Sequence, residues 1–279
     1  MGTTIDQLYP DIWQEVFKYF DALELFFSFM HITEQVDNVL LSGSHHMRLR
    51  GLVLDAHPHS LPQKLLLNQV LSLELHEESC FNNIHQCSGL RSLKLVGQPQ
   101  WVMGLIRELV RADVKLERLT LIVPGIGLLP NLIVAISPIS SLSRLEIRGD
   151  ELEARFEHDT ASLMPTNIKH FILQSSSPFG WSELSSMAPV LSNIRLLDIT
   201  LLHLRGNPSY SFIFPNLRSL SLLLVEVPFD CVIRLITTMP SLAKLTLNGL
   251  VDSNGFVMRN KWLDLFKCCS SLLKVVLSL

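Results

Sequence analysis

The sequence predicts an α/β protein: a right-handed solenoid of about ten parallel strands, preceded by a small three-helix module. Two observations predict this fold. A short pattern, L-x-x-L-x-L, recurs from residue 49 to the end of the chain, and recurrence at a fixed period is the signature of stacked repeats. Residues 4–43 lack the pattern and carry closely spaced apolar side chains instead. We therefore expect a helical module over 4–43 and a repeat domain over 47–279.

The repeats define the strands. They start at residues 49, 70, 90, 116, 142, 168, 194, 217, 242 and 272, and the five starts from 90 to 194 are spaced by 26 residues. Side chains alternate between the two faces of a strand, so the fourth and sixth positions of each repeat point inward. One repeat cannot bury its apolar face alone, whereas stacked parallel strands bury a continuous ribbon of Leu and Ile. This pattern and period are typical of leucine-rich repeats.

Two further features of the repeats are predicted. Apolar stripes at helical spacing lie between the strands and should form return helices on the far side of the sheet. The first stripe is Val102, Leu105, Ile106 and Leu109, the second is Val232, Leu235, Ile236 and Met239, and the third is Trp262, Leu265 and Phe266. A compact apolar residue precedes most repeats by three positions and should fill a turn, as at Cys87, Ile139, Pro165, Leu191, Phe214, Met239 and Cys269. Cys87 resembles the turn cysteine of one intracellular class of leucine-rich repeats.

The opening segment predicts three short helices. Pro10 suits the first turn of a helix, after which Ile12 and Val16 follow at helical spacing. Asp21 and Glu24 resemble a capping box that opens the second helix, and Thr33 is a candidate cap for the third. The aromatic residues at helical spacing are expected to be internal; they are Phe17, Phe20, Phe26 and Phe27. Such short apolar helices need the repeats, a partner, or both to cover them.

The stretch LYPDIWQEVFKYFDALELF, residues 8–26, resembles the F-box. The apolar positions of that family match Leu8, Ile12, Val16, Phe17, Phe20 and Leu25, although Tyr9 stands at the usual proline and Pro10 comes one place later. An F-box joined to leucine-rich repeats implies a substrate receptor of an SCF-type ubiquitin ligase. The module would then dock a Skp-type adaptor, and through it a cullin. We expect the adaptor to contact Leu8, Pro10, Ile12 and Val16.

Composition excludes several other classes. The net charge of −3 gives no electrostatic footprint for nucleic acid or for a membrane surface, and no apolar run is long enough to cross a membrane. Five cysteines without close pairing motifs fit a reducing compartment, cytoplasmic or nuclear. The segment LHEESC lacks the second histidine of a zinc-protease helix, and no nucleophile elbow is present. We expect neither enzymatic activity nor a cofactor.

The outward positions of the strands are the expected binding surface for an unknown protein substrate. Lys94, Arg118, Arg144 and Arg148 lie on successive repeats, with His170 on the next one. Basic side chains in such an arrangement suit an acidic or phosphorylated segment. Two alternatives remain: an ordinary solvated strand face, and a leucine-rich repeat scaffold with no link to ubiquitin. The final repeat, LLKVVLSL, predicts an exposed strand edge that further chain, a partner or a second copy would cover.

Overall fold

The computed structural model describes residues 8–41, 47–55, 65–79, 84–124, 129–150, 165–176, 187–201, 214–225, 227–250 and 259–278. Within these ranges the chain is an α/β protein with a ten-stranded parallel sheet whose strands follow one another in chain order. Contacts divide the chain into two compact units, residues 1–119 and 120–279, and the boundary falls inside the fourth strand. The predicted number of strands and their parallel pairing are confirmed.

The first unit begins with three helices, α1 (Pro10–Phe17), α2 (Ala22–Phe29) and α3 (Glu34–Leu41). Strands β1 (Leu52–Leu54), β2 (Ser72–His76) and β3 (Ser92–Val96) follow, then helix α4 (Pro99–Arg111) and strand β4 (Arg118–Ile122), which runs into the second unit. Short 3-10 helices connect the first strands at Leu67–Gln69, Glu77–Ser79 and Ile84–Gln86.

The second unit continues with helix α5 (Leu129–Ile136) and strands β5 (Arg144–Gly149), β6 (His170–Ser175), β7 (Leu196–Leu201) and β8 (Ser219–Val225). Helix α6 (Phe229–Thr237), strand β9 (Lys244–Leu250), helix α7 (Arg259–Cys268) and strand β10 (Lys274–Ser278) complete it. None of the helices in the described ranges combines the length and apolarity needed to cross a bilayer.

The core of the sheet is the ribbon that the repeat predicts. In each strand from β1 to β9 the fourth and sixth repeat positions are buried. Within β1 to β3 and within β5 to β9 they lie in register with the same positions of the neighbouring strands, as Phe171, Leu197 and Leu220 do. The ribbon comprises Leu52 and Leu54, Leu73 and Leu75, Leu93 and Leu95, Leu119 and Leu121, Leu145 and Ile147, Phe171 and Leu173, Leu197 and Ile199, Leu220 and Leu222, and Leu245 and Leu247. In β10, by contrast, Leu277 remains 43% exposed.

Asparagines add cross-links between repeats that the sequence reasoning missed. Asn167 donates its side-chain amide to the carbonyl of Ser140 at 2.8 Å, and Asn193 donates to Thr166 at 2.9 Å. Asn216 continues the series by donating to the carbonyl of Ser192 at 3.3 Å. Each asparagine directly precedes the first apolar residue of its repeat, so the three side chains satisfy turn carbonyls that the strand ladder does not reach.

The return helices bury their predicted stripes only in part. All four predicted residues of α4 are buried, as are those of α6 and the turn that follows it. In α7 only Leu265 is fully buried, while Trp262 packs edge-on against Phe229 at 4.7 Å and Phe266 is 44% exposed. The prediction for Phe266 was wrong because the buried direction of α7 is centred on Leu265 and Cys269. Pro165 was also wrong: it is exposed, unlike the other turn residues.

Candidate functional site

The three N-terminal helices close on an aromatic cluster. Trp13 and Phe17 stack along α1 with ring centroids 5.4 Å apart. Phe29 of α2 meets Phe17 at 5.2 Å and Phe20 at 5.0 Å, both edge-on. Trp13 and Phe17 are buried, and offset and edge-to-face aromatic contacts add to the free energy of that burial. These apolar residues therefore have an internal partner within the module.

Local hydrogen bonds set where the helices begin. The amide of Glu24 donates to Asp21 at 2.8 Å, and the amide of Asp21 donates back to the Glu24 carboxylate at 3.0 Å, which completes the predicted capping box. The amide of Val36 donates to the Thr33 hydroxyl at 3.2 Å, so the cap predicted for α3 is confirmed.

The module nevertheless leaves large apolar side chains in solvent. Ile12 on α1 is 44% exposed, Phe27 on α2 is 70% exposed, and Tyr19 after α1 is 85% exposed. The expectation that Phe27 is internal was therefore wrong. Ala22 and Leu25 take the buried side of α2 and Phe29 supplies the contact with α1, so Phe27 falls on the side away from that packing.

The four predicted adaptor residues differ in exposure. Ile12 is open, whereas Leu8, Pro10 and Val16 are half-buried. The carbonyl of Leu8 accepts a hydrogen bond of 2.7 Å from the side chain of Gln35, and this bond ties the start of the module to α3. Leu8 and Val16 therefore contribute to packing within the module as well as to its surface.

On the sheet face of the first unit, Lys94 is already paired. Its ammonium lies 2.9 Å from the Glu74 carboxylate, and His76 approaches the same oxygen at 3.0 Å. Burial by itself raises the pKa of Glu74, but the hydrogen bonds and charges of Lys94 and His76 outweigh it and hold that pKa below its ordinary value. Arg118, at the start of β4, is exposed and has no ion-pair partner within the described residues.

On the sheet face of the second unit, two predicted arginines share one acid. Arg148 donates from Nε to Glu146 at 2.8 Å, and Arg144 donates to the other carboxylate oxygen at 3.3 Å. Glu146 is only 8% exposed, so this pairing compensates a buried charge. His170 is exposed on β6, in register with Arg144. Because Glu146 offsets one of the two arginine charges, the pair presents less free positive charge than the sequence alone indicates.

A polar groove runs across the same face near the ends of the strands. Its volume is about 520 Å³. Gln174, Asp198, Thr200, Ser221 and Asn248 from β6 to β9 line it, together with Leu223. These groups offer hydrogen-bond donors and acceptors in a row, and the Asp198 carboxylate forms no ion pair or hydrogen bond with another part of the described chain. The groove can therefore recognise polar groups.

The described residues contain neither a cluster of metal-ligating side chains nor an activated thiol at Cys87. No group of three or more His, Cys, Asp or Glu side chains is placed to hold a metal ion in that part of the chain. Burial raises the pKa of Cys87 to about 11, which keeps its thiol protonated and weakly nucleophilic at neutral pH.

The Cys87 thiol is expected to resist alkylation by iodoacetamide in the folded protein, while the half-buried Cys231 reacts first. The folded state holds the Cys87 proton more tightly than the unfolded state does. Its contribution to the free energy of unfolding is therefore fully present below the ordinary pKa of 9.0 and is lost as pH rises toward about 11. Site-resolved mass spectrometry of labelled peptides across this pH range, with a urea-unfolded control, checks the prediction. Equal labelling of both thiols at neutral pH would contradict it.

No family model matches the chain, and no curated protein matches it either.

Proposed function

We propose that this protein is the non-catalytic substrate-recognition subunit of an SCF-type E3 ubiquitin ligase. Residues 4–43 act as an F-box that docks a Skp-type adaptor and, through it, a cullin. Residues 47–279 form a right-handed leucine-rich repeat solenoid whose strand face binds a protein substrate. Other subunits carry out the ubiquitin transfer, so the chain itself needs no cofactor. Its place of action is the cytoplasm or the nucleus.

One observation carries the proposal. The N-terminal module has an aromatic core and hydrogen-bonded helix caps, yet it leaves the side chains of Ile12 and Phe27 exposed to solvent. A module whose only task is to cover the first strand has no need of such side chains on its outer surface, because their exposure costs free energy. Exposed apolar side chains on a well-packed module instead favour docking to a partner. The resemblance of residues 8–26 to the F-box supports a Skp-type adaptor as that partner.

The repeats support the second half of the proposal. Ten parallel strands in chain order, with the same repeat positions in register, are what stacked leucine-rich repeats require. Their outward positions carry polar side chains over a broad surface, and the groove at Asp198 and Asn248 lies on it. Repeat proteins use extended surfaces of this kind for binding.

A second candidate function is a repeat scaffold without a ubiquitin ligase. The half-burial of Leu8 and Val16 favours it, because these side chains contribute to the packing of the module itself. A direct experiment distinguishes the two functions. The purified full-length chain is mixed with a Skp-type adaptor, and the mixture is examined by size-exclusion chromatography with light scattering. A stoichiometric complex is expected. Separate elution of the two proteins at micromolar concentration would contradict the ligase proposal and leave the scaffold.

A further inference from the structure

We propose that the residues leading into strands β6, β7 and β8 form a docking site for an extended acidic segment of a partner protein. An exposed cationic residue directly precedes each of these three strands, and we call this set the basic row: Lys169, Arg195 and Arg218. The inference deepens the proposed function, on which it rests, by naming the chemical class of the substrate segment. It also selects a different set of residues from the cationic positions that the sequence singled out.

Backbone hydrogen bonds place the members of the basic row side by side. The carbonyl of Lys169 accepts the amide of Arg195 at 2.7 Å, and the carbonyl of Arg195 accepts the amide of Arg218 at 2.9 Å. In the segment leading into β9 the residue at this backbone position is Ala243, whose amide donates to the carbonyl of Arg218 at 2.9 Å, so the row ends at Arg218. Consecutive members are thus on hydrogen-bonded neighbouring strands, which lie about 4.8 Å apart.

The basic row lacks the acidic partners that four other cations of this unit have. Arg144 and Arg148 share Glu146, Lys261 pairs with Asp230, and Lys267 pairs with Asp264. Within the described residues, none of the three members of the row forms an ion pair or a side-chain hydrogen bond. Asp198 is the acidic residue of β7, but it lies three positions beyond Arg195, about 10 Å along a strand. The repulsion between neighbouring cations therefore remains uncompensated in the isolated chain.

Charge and dimensions together point to an extended acidic peptide. The row covers two strand spacings, about 10 Å, which an extended chain of about three residues spans at roughly 3.3 Å per residue. Carboxylate or phosphate groups on such a segment would form charge-assisted hydrogen bonds with the guanidinium and ammonium groups. A single-stranded nucleic acid fits less well, because its binding sites stack bases on aromatic side chains. The residues that flank the row at the same backbone position, Ser143 on one side and Ala243 on the other, carry no aromatic ring.

The test uses the full-length chain and a fluorescein-labelled oligoglutamate dodecamer, measured by fluorescence anisotropy at low salt. The wild type should bind this probe and should not bind the matched oligoglutamine dodecamer. Its affinity for oligoglutamate should fall as added salt screens the charges. The triple variant Lys169→Gln, Arg195→Gln, Arg218→Gln should bind about tenfold more weakly, since each exposed charge contact contributes modestly. Substitution at these exposed positions should leave the thermal melt unchanged.

The control variant removes the same charge elsewhere: Arg107→Gln, Arg111→Gln and Arg234→Gln lie on exposed helix positions. It should bind the probe like the wild type. An equal loss in this control, or unchanged binding in the strand-start variant, would overturn the proposal. Tighter binding of an oligothymidine dodecamer or of anionic vesicles than of oligoglutamate would overturn the assignment to a peptide. No adaptor is present in this assay, so its failure is distinguishable from failure of the adaptor complex.

Discussion

Leu197→Asp is expected to unfold the second unit, residues 120–279. Leu197 lies in the middle of β7, is 0% exposed, and is in register with Phe171 on one side and Leu220 on the other. The substitution removes a buried side chain, which costs about 2–5 kcal/mol in a protein core. It also leaves a carboxylate without a partner between two apolar neighbours, a further cost of several kcal/mol. The sum is comparable to the whole stability of a domain, about 5–15 kcal/mol.

Circular dichroism with thermal and urea unfolding measures this effect. The matched control is Leu223→Asp, which introduces the same group at the next strand, on the opposite face, where Leu223 is 40% exposed. We expect the control to melt close to the wild type and the Leu197 variant to lack a cooperative transition at the same temperature. A Leu197→Asp protein with an unchanged melting temperature would contradict the assignment of the buried ribbon.

The sheet was predictable because its determinants are local and repeated. A leucine at the fourth position of one repeat and a leucine at the sixth are enough to define an inward face, and the constant spacing then fixes which residues meet. Leu145, Phe171 and Leu197 were placed in this way, and the structure has them in register. The capping box at Asp21 was predictable for a similar reason, because its two partners are three residues apart.

Features that depend on neighbours across repeats were not predictable in the same way. The outward position of Glu146 was clear from alternation, but its burial and its two arginine partners depend on side-chain geometry. Phe27 was misplaced because helical spacing alone does not tell which of several aromatic residues faces the module core. The asparagines at 167, 193 and 216 left a signal in the sequence, since each precedes the first apolar residue of a repeat. Their role becomes visible only when the acceptor carbonyls are known.

The second large effect concerns the N-terminal module. Under the proposed function, Ile12→Asp combined with Val16→Asp should abolish complex formation with a Skp-type adaptor. A buried aliphatic side chain contributes about 1.5–3 kcal/mol at an interface core, and a desolvated carboxylate adds a penalty. Two such changes weaken binding by several orders of magnitude, since each 1.4 kcal/mol is about tenfold in the dissociation constant.

Folding must be separated from docking in this experiment. Val16 is half-buried, so its replacement also affects the module, whereas Ile12 is 44% exposed and Ile12→Asp alone should leave the melt unchanged. The single variant is therefore the decisive one: a lower adaptor affinity with an intact melt supports the interface. Leu263→Asp is the matched control, because Leu263 is an aliphatic residue of α7 with 47% exposure. It should bind the adaptor like the wild type.

Isothermal titration of the adaptor into each variant, with a thermal melt of the same sample, measures both quantities. If α1 only packs against the rest of the chain, the double variant will melt at a lower temperature and the wild type will show no adaptor binding. If α1 docks the adaptor, Ile12→Asp will lose affinity while the peptide binding assigned to the basic row persists, because Lys169 and Arg195 lie in the other unit. Unchanged adaptor affinity in Ile12→Asp and in the double variant would contradict the assignment of α1 to the adaptor interface.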